Sequence, residues 1–155
     1  MINKNNIQRS KFLFWTEIKT RWRDMDAIGH LNHTTYLTYM ESSRVELYEK
    51  LGYPGLAREM DESAILASLE VNYFHQISHP ETLEIGNKIS RIGNTSYDID
   101  SVIVKKNSNR LLCAATFKMA KAASSRYTIS NHVREVNLIP PKRTGGITSS
   151  VYTLE

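Results

Sequence analysis

Hydrophobic spacing predicts one long helix in the first third of the chain. Between residues 33 and 51, apolar side chains recur at intervals of 3, 7 and 4 residues and share one helical face: Leu37, Met40, Leu47 and Leu51. Asn32 precedes this stretch and is a good N-cap residue, and Gly52 follows it and favours helix termination. The helix is therefore expected to cover residues 33–51.

Alternation of apolar and polar residues predicts about five strands. The strands are expected at residues 16–22, 65–74, 82–92, 97–104 and 111–119. The links at residues 93–94 and 107–109 are short and turn-prone, so consecutive strands are expected to be antiparallel neighbours in a meander. One long helix beside such a sheet is an α+β fold in which the sheet wraps the helix.

Composition describes a globular domain that needs no covalent crosslinks. The chain has 155 residues, of which 41% are hydrophobic and 23% charged, and at this length a substantial core can form. We expect one domain over residues 1–139. The breakers Pro140-Pro141 and Gly145-Gly146 predict an extended tail over residues 140–155.

The N-terminal residues, the hydrophobic runs and the cysteine count indicate the cellular compartment that we expect for the protein. The polar first ten residues do not resemble a signal peptide, and no apolar run is long enough for a membrane span. Cys113 is the single cysteine, so neither an internal disulfide nor a multi-cysteine metal site can form. We expect a cytoplasmic protein without membrane association.

Charge gives weak support to nucleic-acid binding. The 20 Lys and Arg residues against 16 Asp and Glu residues give a formal net charge of +4. The basic residues are scattered and form no block, so no nucleic-acid partner is expected. A modest positive field suits an anionic small ligand.

Candidate chemistry concentrates in the loop before the predicted helix. Within ten positions it contains Asp24, Asp26, His30, Asn32 and His33. Such residues also collect in helix-entry loops for structural reasons, because they cap and turn well. A helix N-terminus presents unpaired N–H groups that can stabilise an oxyanion, so a carboxylate beside it could act as base or nucleophile.

Metal and cofactor sites are not expected. Asp26, His30 and His33 have the i, i+4, i+7 spacing of one helical face, but Gly29 argues against a continuous helix there. The sequence contains no HExxH motif and no Gly-rich phosphate loop. Cys113 lies among apolar residues of a predicted strand, which favours a buried, inert thiol over a nucleophile.

The segment RWRDMDAIGHLNHTTYLTYMESSRVEL, residues 21–47, resembles the signature of hotdog-fold acyl-CoA thioesterases of the 4-hydroxybenzoyl-CoA thioesterase type. In that signature a strand leads into D-x-D, then G-H-[VL]-N, then a long helix with Y-x-x-[YF]-x-E. The resemblance extends to roughly residues 14–120. It implies the hotdog fold, a central helix wrapped by an antiparallel sheet.

The resemblance also implies roles for particular residues. Asp26 matches the catalytic carboxylate of the family, and His30 and Asn32 match its functional polar positions. Amides at the helix entry match the site that polarises the thioester. Gly29 and Tyr36 of the same segment are expected to contact substrate.

The chain departs from the family pattern at one position of this segment. His33 stands where a second Asn is common. Some family members place an acid on the central helix, which makes Glu41 a reserve candidate for the catalytic acid.

The expected function is hydrolysis of an acyl-CoA thioester, without a cofactor, by a homodimer or homotetramer. Its sites are expected near the subunit interface. The nucleotide phosphates require cations, and Arg91, Lys105 and Lys106 at strand ends are candidates. The alternative is a non-catalytic module that binds acyl-CoA or acyl carrier protein, since fold alone does not fix function. Retention of Asp26 favours the enzyme.

Overall fold

The computed structural model describes residues 7–52, 64–108 and 110–121. Within them lie one α-helix and five strands, which we label α1 and β1 to β5 in chain order. Their bounds are β1 Phe14–Lys19, α1 His33–Lys50, β2 Ala64–Tyr73, β3 Thr82–Ile92, β4 Ser96–Lys105 and β5 Leu111–Lys121. The predicted α+β hotdog fold is confirmed, whereas the predicted tail at 140–155 lies outside the described residues.

The five strands form one antiparallel sheet in the order β1-β3-β4-β5-β2. The predicted meander is correct for β3, β4 and β5. It is wrong for β2, which pairs with β5 at the sheet edge, from Ala64 opposite Lys121 to Tyr73 opposite Cys113. Residues 74–81 are too many for a tight hairpin, and they carry the chain across the end of the sheet to β3.

The first strand ends earlier than its sequence pattern predicts. It stops at Lys19 instead of residue 22, and a 3₁₀ turn follows over Trp22–Asp24. The backbone N–H of Arg21 donates to Asp24 Oδ2 at 3.1 Å, and the N–H of Asp24 donates to the carbonyl of Arg21 at 3.0 Å. These reciprocal bonds fold the chain away from the sheet.

The helix begins and ends as its flanking residues predict. Asn32 is the N-cap, and its side chain accepts a hydrogen bond from the N–H of Thr34 at 3.0 Å. Gly52 follows the helix with φ +68°, a left-handed conformation that glycine adopts without strain. The 18 residues of α1 extend about 27 Å, enough to cross the whole sheet.

The core lies between α1 and the face of the sheet that the helix covers. Its largest fully buried side chains are Met40, Leu47, Leu83, Ile85, Tyr97, Ile99, Ile103 and Phe117. Each aliphatic side chain of this size stabilises the fold by roughly 1.5–3 kcal/mol relative to exposure. The helix is thereby fixed against β3, β4 and β5.

A chain of hydrogen bonds between polar side chains also crosses this core. Ser101 on β4 donates to Asn87 on β3, Asn87 Nδ2 donates to Ser43 Oγ on α1 at 2.6 Å, and Ser43 donates to Thr16 on β1 at 3.1 Å. Asn87, Ser43 and Ser101 have no exposed surface. The network therefore fixes the register of helix against sheet through directional bonds.

Asn87→Ala is expected to lower the free energy of unfolding by about 2–3 kcal/mol, because it leaves the hydroxyls of Ser43 and Ser101 without their buried partner. Urea denaturation measures the change. Lys118→Ala, at an exposed position on β5, is the control and should cost less than about 0.5 kcal/mol. Equal destabilisation by the two variants would contradict a structural role for the network.

Candidate active site

Asp24 is the buried anchor of the loop between β1 and α1. Its carboxylate accepts two bonds from the Arg21 guanidinium, Nε to Oδ2 at 2.9 Å and Nη2 to Oδ1 at 3.0 Å. Tyr39 of α1 donates a further hydrogen bond to Oδ2. The Arg21 hydrogen bond is the main cause that lowers the pKa of Asp24 to about 2. Asp24 therefore ties the loop to the helix and stays charged.

Asp26 is held by a different set of contacts. Its Oδ1 accepts hydrogen bonds from the backbone N–H groups of Ile28 at 3.0 Å and His30 at 3.1 Å. Gly29 has φ +78° and closes this turn. Within the described part of the chain, Asp26 Oδ2 accepts no hydrogen bond. One carboxylate oxygen is thus fixed, and the other is open to a ligand.

A pocket of about 320 Å³ lies against Asp26, within the size range of small-molecule sites. The loop and the first turn of α1 provide part of its wall, and the end of β2 and the residues after it provide the rest. The polar side chains on its wall are Asp26, His30, His33, Tyr36, Tyr73, His75 and Gln76. The pocket therefore joins segments that are about forty residues apart in sequence.

The N-terminus of α1 opens into this pocket. The N–H of Leu31 donates to Ile77, that of Asn32 donates to Asp24, and that of Thr34 donates to the Asn32 side chain. The N–H of His33 has no acceptor among the residues that the structure describes. It is a free donor at the positive end of the helix dipole, on the same pocket wall as Asp26.

Two tyrosines form the aromatic side of the pocket. The rings of Tyr36 and Tyr73 meet edge to face, with their centroids 5.1 Å apart. Burial raises the pKa of Tyr36 to about 12, so its hydroxyl is neutral at physiological pH. That hydroxyl donates to the carbonyl of His75 at 3.4 Å, and the hydroxyl of Tyr73 donates to the carbonyl of His33 at 3.1 Å. These bonds connect the two walls of the pocket.

The predicted site residues separate into two groups. Asp26, His30 and Tyr36 line the pocket, as does His33. Asn32 caps the helix instead, and Gly29 shapes the turn without lining the pocket.

The reserve candidate for the catalytic acid, Glu41, and the single cysteine, Cys113, do not line the pocket. Glu41 is exposed on α1. Cys113 is fully buried on β5, and burial raises the pKa of its thiol to about 12, which suppresses the reactive thiolate.

The structure adds pocket residues that the sequence did not single out for chemistry. Tyr73 and His75 join the site through β2 and the link after it. Their only sequence signal is a cluster of ring side chains over residues 73–75 at a strand end. Arg110 lies beside His75, with Nη2 at 3.1 Å from Nδ1. Arginine can only donate, so this contact directs an N–H of Arg110 at the imidazole of His75.

The three cations proposed for the nucleotide phosphates are each paired with an acid. Arg91 binds Asp98 at 2.8 Å at the β3–β4 hairpin, the sheet end opposite the pocket. Lys105 pairs with Glu81 and Lys106 with Glu17, at the same sheet end as the pocket. None of the three lines the pocket, so their role in CoA binding stays a prediction.

The described residues show neither a metal-binding cluster nor a membrane-spanning helix. They contain no group of three or more histidine, cysteine or carboxylate side chains placed to hold a metal ion. Their helix is not apolar enough to cross a membrane.

Comparison with known proteins assigns the family. Residues 20–141 match the model of the Thioesterase-like superfamily, and the chain belongs to this superfamily. The Bacillus subtilis (strain 168) protein YsmA is 27% identical over 88 residues, which are 57% of this chain. The chain spans 58% of the length of that relative.

Solved structures share the fold. A candidate acyl-CoA thioesterase from Xanthomonas campestris is 27% identical with a TM-score of 0.65, and the match covers 76% of this chain and 100% of that one. Slr0204, a 1,4-dihydroxy-2-naphthoyl-CoA thioesterase from Synechocystis, is 14% identical with a TM-score of 0.71. That match covers 80% of this chain and 97% of the other. The superfamily and the Xanthomonas campestris neighbour support a thioesterase function, whereas Slr0204 shows the fold alone.

Asp24→Asn is expected to lower the free energy of unfolding by about 2 kcal/mol at pH 7, because an amide cannot accept both bonds from Arg21. Urea denaturation measures the loss. Asp26→Asn is the matched control from the same loop. It keeps the Oδ1 acceptor of both backbone bonds and should change stability little.

The contribution of Asp24 to the free energy of unfolding is expected to be lost at acidic pH. Its pKa is about 2 in the folded protein and 3.8 without these contacts, so its stabilisation is complete above about pH 4 and is lost as pH falls towards 2. The difference in unfolding free energy between the wild type and Asp24→Asn should therefore shrink over this range. A difference that stays constant from about pH 5 to pH 2 would show that the carboxylate charge stabilises nothing.

Proposed function

We propose that the protein is an acyl-CoA thioesterase in which Asp26 acts as general base or nucleophile. One observation carries the proposal: a carboxylate with one fixed and one open oxygen shares a pocket with the free N–H of His33 at a helix N-terminus. A base or nucleophile next to an oxyanion donor is the arrangement that acyl transfer requires.

In the general-base route, Asp26 Oδ2 takes a proton from a water molecule that attacks the thioester carbonyl. The carbonyl oxygen becomes an oxyanion, which the N–H of His33 and the helix dipole stabilise. Collapse of the tetrahedral intermediate breaks the carbon–sulfur bond. The thiolate of CoA leaves and takes up the proton, and the acid product is released.

In the nucleophilic route, Oδ2 attacks the carbonyl and expels the CoA thiolate, which gives a mixed anhydride. Water then cleaves the anhydride and regenerates the Asp26 carboxylate. Both routes need the same open oxygen and the same oxyanion donor. The fixed Oδ1 contributes to both routes, because its hydrogen bonds from two backbone N–H groups orient the carboxylate before the substrate binds.

The substrate class follows from the superfamily and from the pocket wall. Leu31, Phe74 and the edge-to-face pair Tyr36 and Tyr73 give the acyl group an apolar, largely aromatic surface. Aromatic acyl-CoA, as in the 4-hydroxybenzoyl type, and aliphatic acyl-CoA are both candidate substrates. A panel of the two kinds, read by thiol release, identifies the substrate; binding without release on any member would favour the non-catalytic binding module.

We also propose that β2 forms the subunit interface of a homo-oligomer. It is an edge strand of the sheet, and its outer backbone groups pair with no strand among the residues that the structure describes. Exposed apolar side chains lie along it, with Ile65 at 58%, Leu66 at 44% and Tyr73 at 44% of their maximum exposure. Because Tyr73 also lines the pocket, a second copy on this edge would close the site.

Asp26→Asn is expected to lower kcat for acyl-CoA by roughly 10² or more, because the amide keeps the shape and removes the basic oxygen. Thiol release under saturating substrate measures kcat. Glu41→Gln, which removes an exposed acid of α1, is the control and should keep kcat within about twofold. If Asp26→Asn keeps wild-type turnover and Glu41→Gln loses it, the catalytic acid is Glu41 on α1 and not Asp26.

Ile65→Glu is expected to dissociate the oligomer, because it places charge on the β2 edge. Sedimentation should give at least 36 kDa for the wild type, twice the 17.8 kDa of one chain, and about 18 kDa for the variant. Ile28→Glu is the matched control at a residue that is 75% exposed in the loop. A monomeric wild type at micromolar concentration would refute the interface.

A further inference from the structure

The loop that holds Asp26 carries two strongly exposed hydrophobic side chains. Trp22 is 80% exposed and Ile28 is 75% exposed, more than the exposed hydrophobics of β2. They lie four residues before and two residues after Asp26. An indole ring that contributes nothing to the core, in the same loop as a residue that lines the pocket, is available to bind a ligand.

The residues around Trp22 are positively charged. Residues 19–23 contain Lys19, Arg21 and Arg23 and no acid. The charge of Arg21 is offset by Asp24. Arg23 is exposed and forms no ion pair with the described residues. By contrast, Arg91, Lys105 and Lys106, the strand-end cations proposed above to bind the nucleotide phosphates, each form an ion pair with a carboxylate.

An exposed indole followed in sequence by an unpaired guanidinium suits one ligand chemistry, a nucleobase with attached phosphates. Bases stack on indole rings, and arginine binds phosphate through a planar set of donors. We propose that Trp22 and Arg23 bind the nucleotide end of acyl-CoA, with adenine on the indole and phosphate at Arg23. This inference rests on the proposed thioesterase function and adds the binding site for the CoA nucleotide.

The distance between Trp22 and Asp26 is short enough for one acyl-CoA molecule to contact both residues. Four residues separate Trp22 from Asp26, and a chain of that length spans at most about 14 Å. The extended pantetheine arm with its diphosphate is long enough to cover this distance. The thioester can therefore lie at Asp26 while the adenine lies at Trp22.

Intrinsic fluorescence tests the adenine contact directly, because the chain has two tryptophans. Trp22 is exposed, whereas Trp15 packs against Phe12 and under the Arg9 guanidinium. CoA and adenosine bisphosphate should quench the wild type, and pantetheine should not. Trp22→Phe should remove the indole signal at this site, so that CoA no longer changes the remaining emission from Trp15. Quenching by CoA that persists in Trp22→Phe would overturn the stacking contact.

Kinetics test the same site with a matched pair of substrates, an acyl-CoA and the acyl-pantetheine with the same acyl group. Trp22→Ala should lower the ratio of their kcat/KM values about tenfold, since stacking is lost for only one of them. Arg23→Gln should lower the ratio and weaken the rise of acyl-CoA KM with added salt. Lys118→Gln, at an exposed lysine of β5, is the control and should leave the ratio unchanged.

The outcomes separate this inference from the proposed function. An unchanged ratio in Trp22→Ala and Arg23→Gln, with normal hydrolysis, overturns the nucleotide site and keeps the thioesterase. Quenching at Trp22 by CoA without hydrolysis of any thioester overturns the thioesterase and keeps the nucleotide site. A fall to the monomer mass in Trp22→Ala would assign the exposed indole to a subunit interface, and the inference would fail.

Discussion

The buried carboxylate of Asp24 is the contact on which the candidate site depends. It joins Arg21 before the loop to Tyr39 in the second turn of α1, and its backbone carbonyl accepts the N–H of Asn32, the residue that caps the helix. These contacts determine where the chain leaves β1 and where α1 begins. The position of Asp26 and the direction of the helix N-terminus both follow from them.

The two acids of the D-x-D segment have opposite roles because their environments differ. Asp24 is 8% exposed and is saturated by donors from Arg21 and Tyr39. Asp26 is partly exposed and uses a single oxygen to hold its own turn. A carboxylate saturated by donors is a poor base, whereas one with an open oxygen can accept a proton. Identical residues two positions apart thus provide a structural anchor and the proposed reactive group.

Local patterns predicted the elements of this fold but not all of their partners. The helix, its N-cap at Asn32 and the five strands follow from periodicity and short-range signals. The place of β2 beside β5 does not, because pairing between distant segments leaves no local pattern. Polar core residues on the buried face of α1 were also missed: Ser43 joins the buried network and Arg44 stacks over Phe117 at 3.7 Å.

The residues of the candidate site also fall into two groups, those from one short segment and those that long-range strand pairing brings to it. Asp26, the free N–H of His33 and the anchor Asp24 all belong to one short continuous segment. The sequence therefore pointed to Asp26 and to the helix-entry amides as a group, but not to the particular amide or to the anchoring role of Asp24. Tyr73 and His75 reach the pocket only through the long-range pairing of β2. The acyl group would meet these distant residues, whereas its carbonyl would meet the local ones. In the proposed thioesterase, changes in β2 would therefore alter which acyl group fits while the loop keeps the same reaction. The sequence of the loop accordingly suggests a reaction class, whereas it carries no information on the substrate.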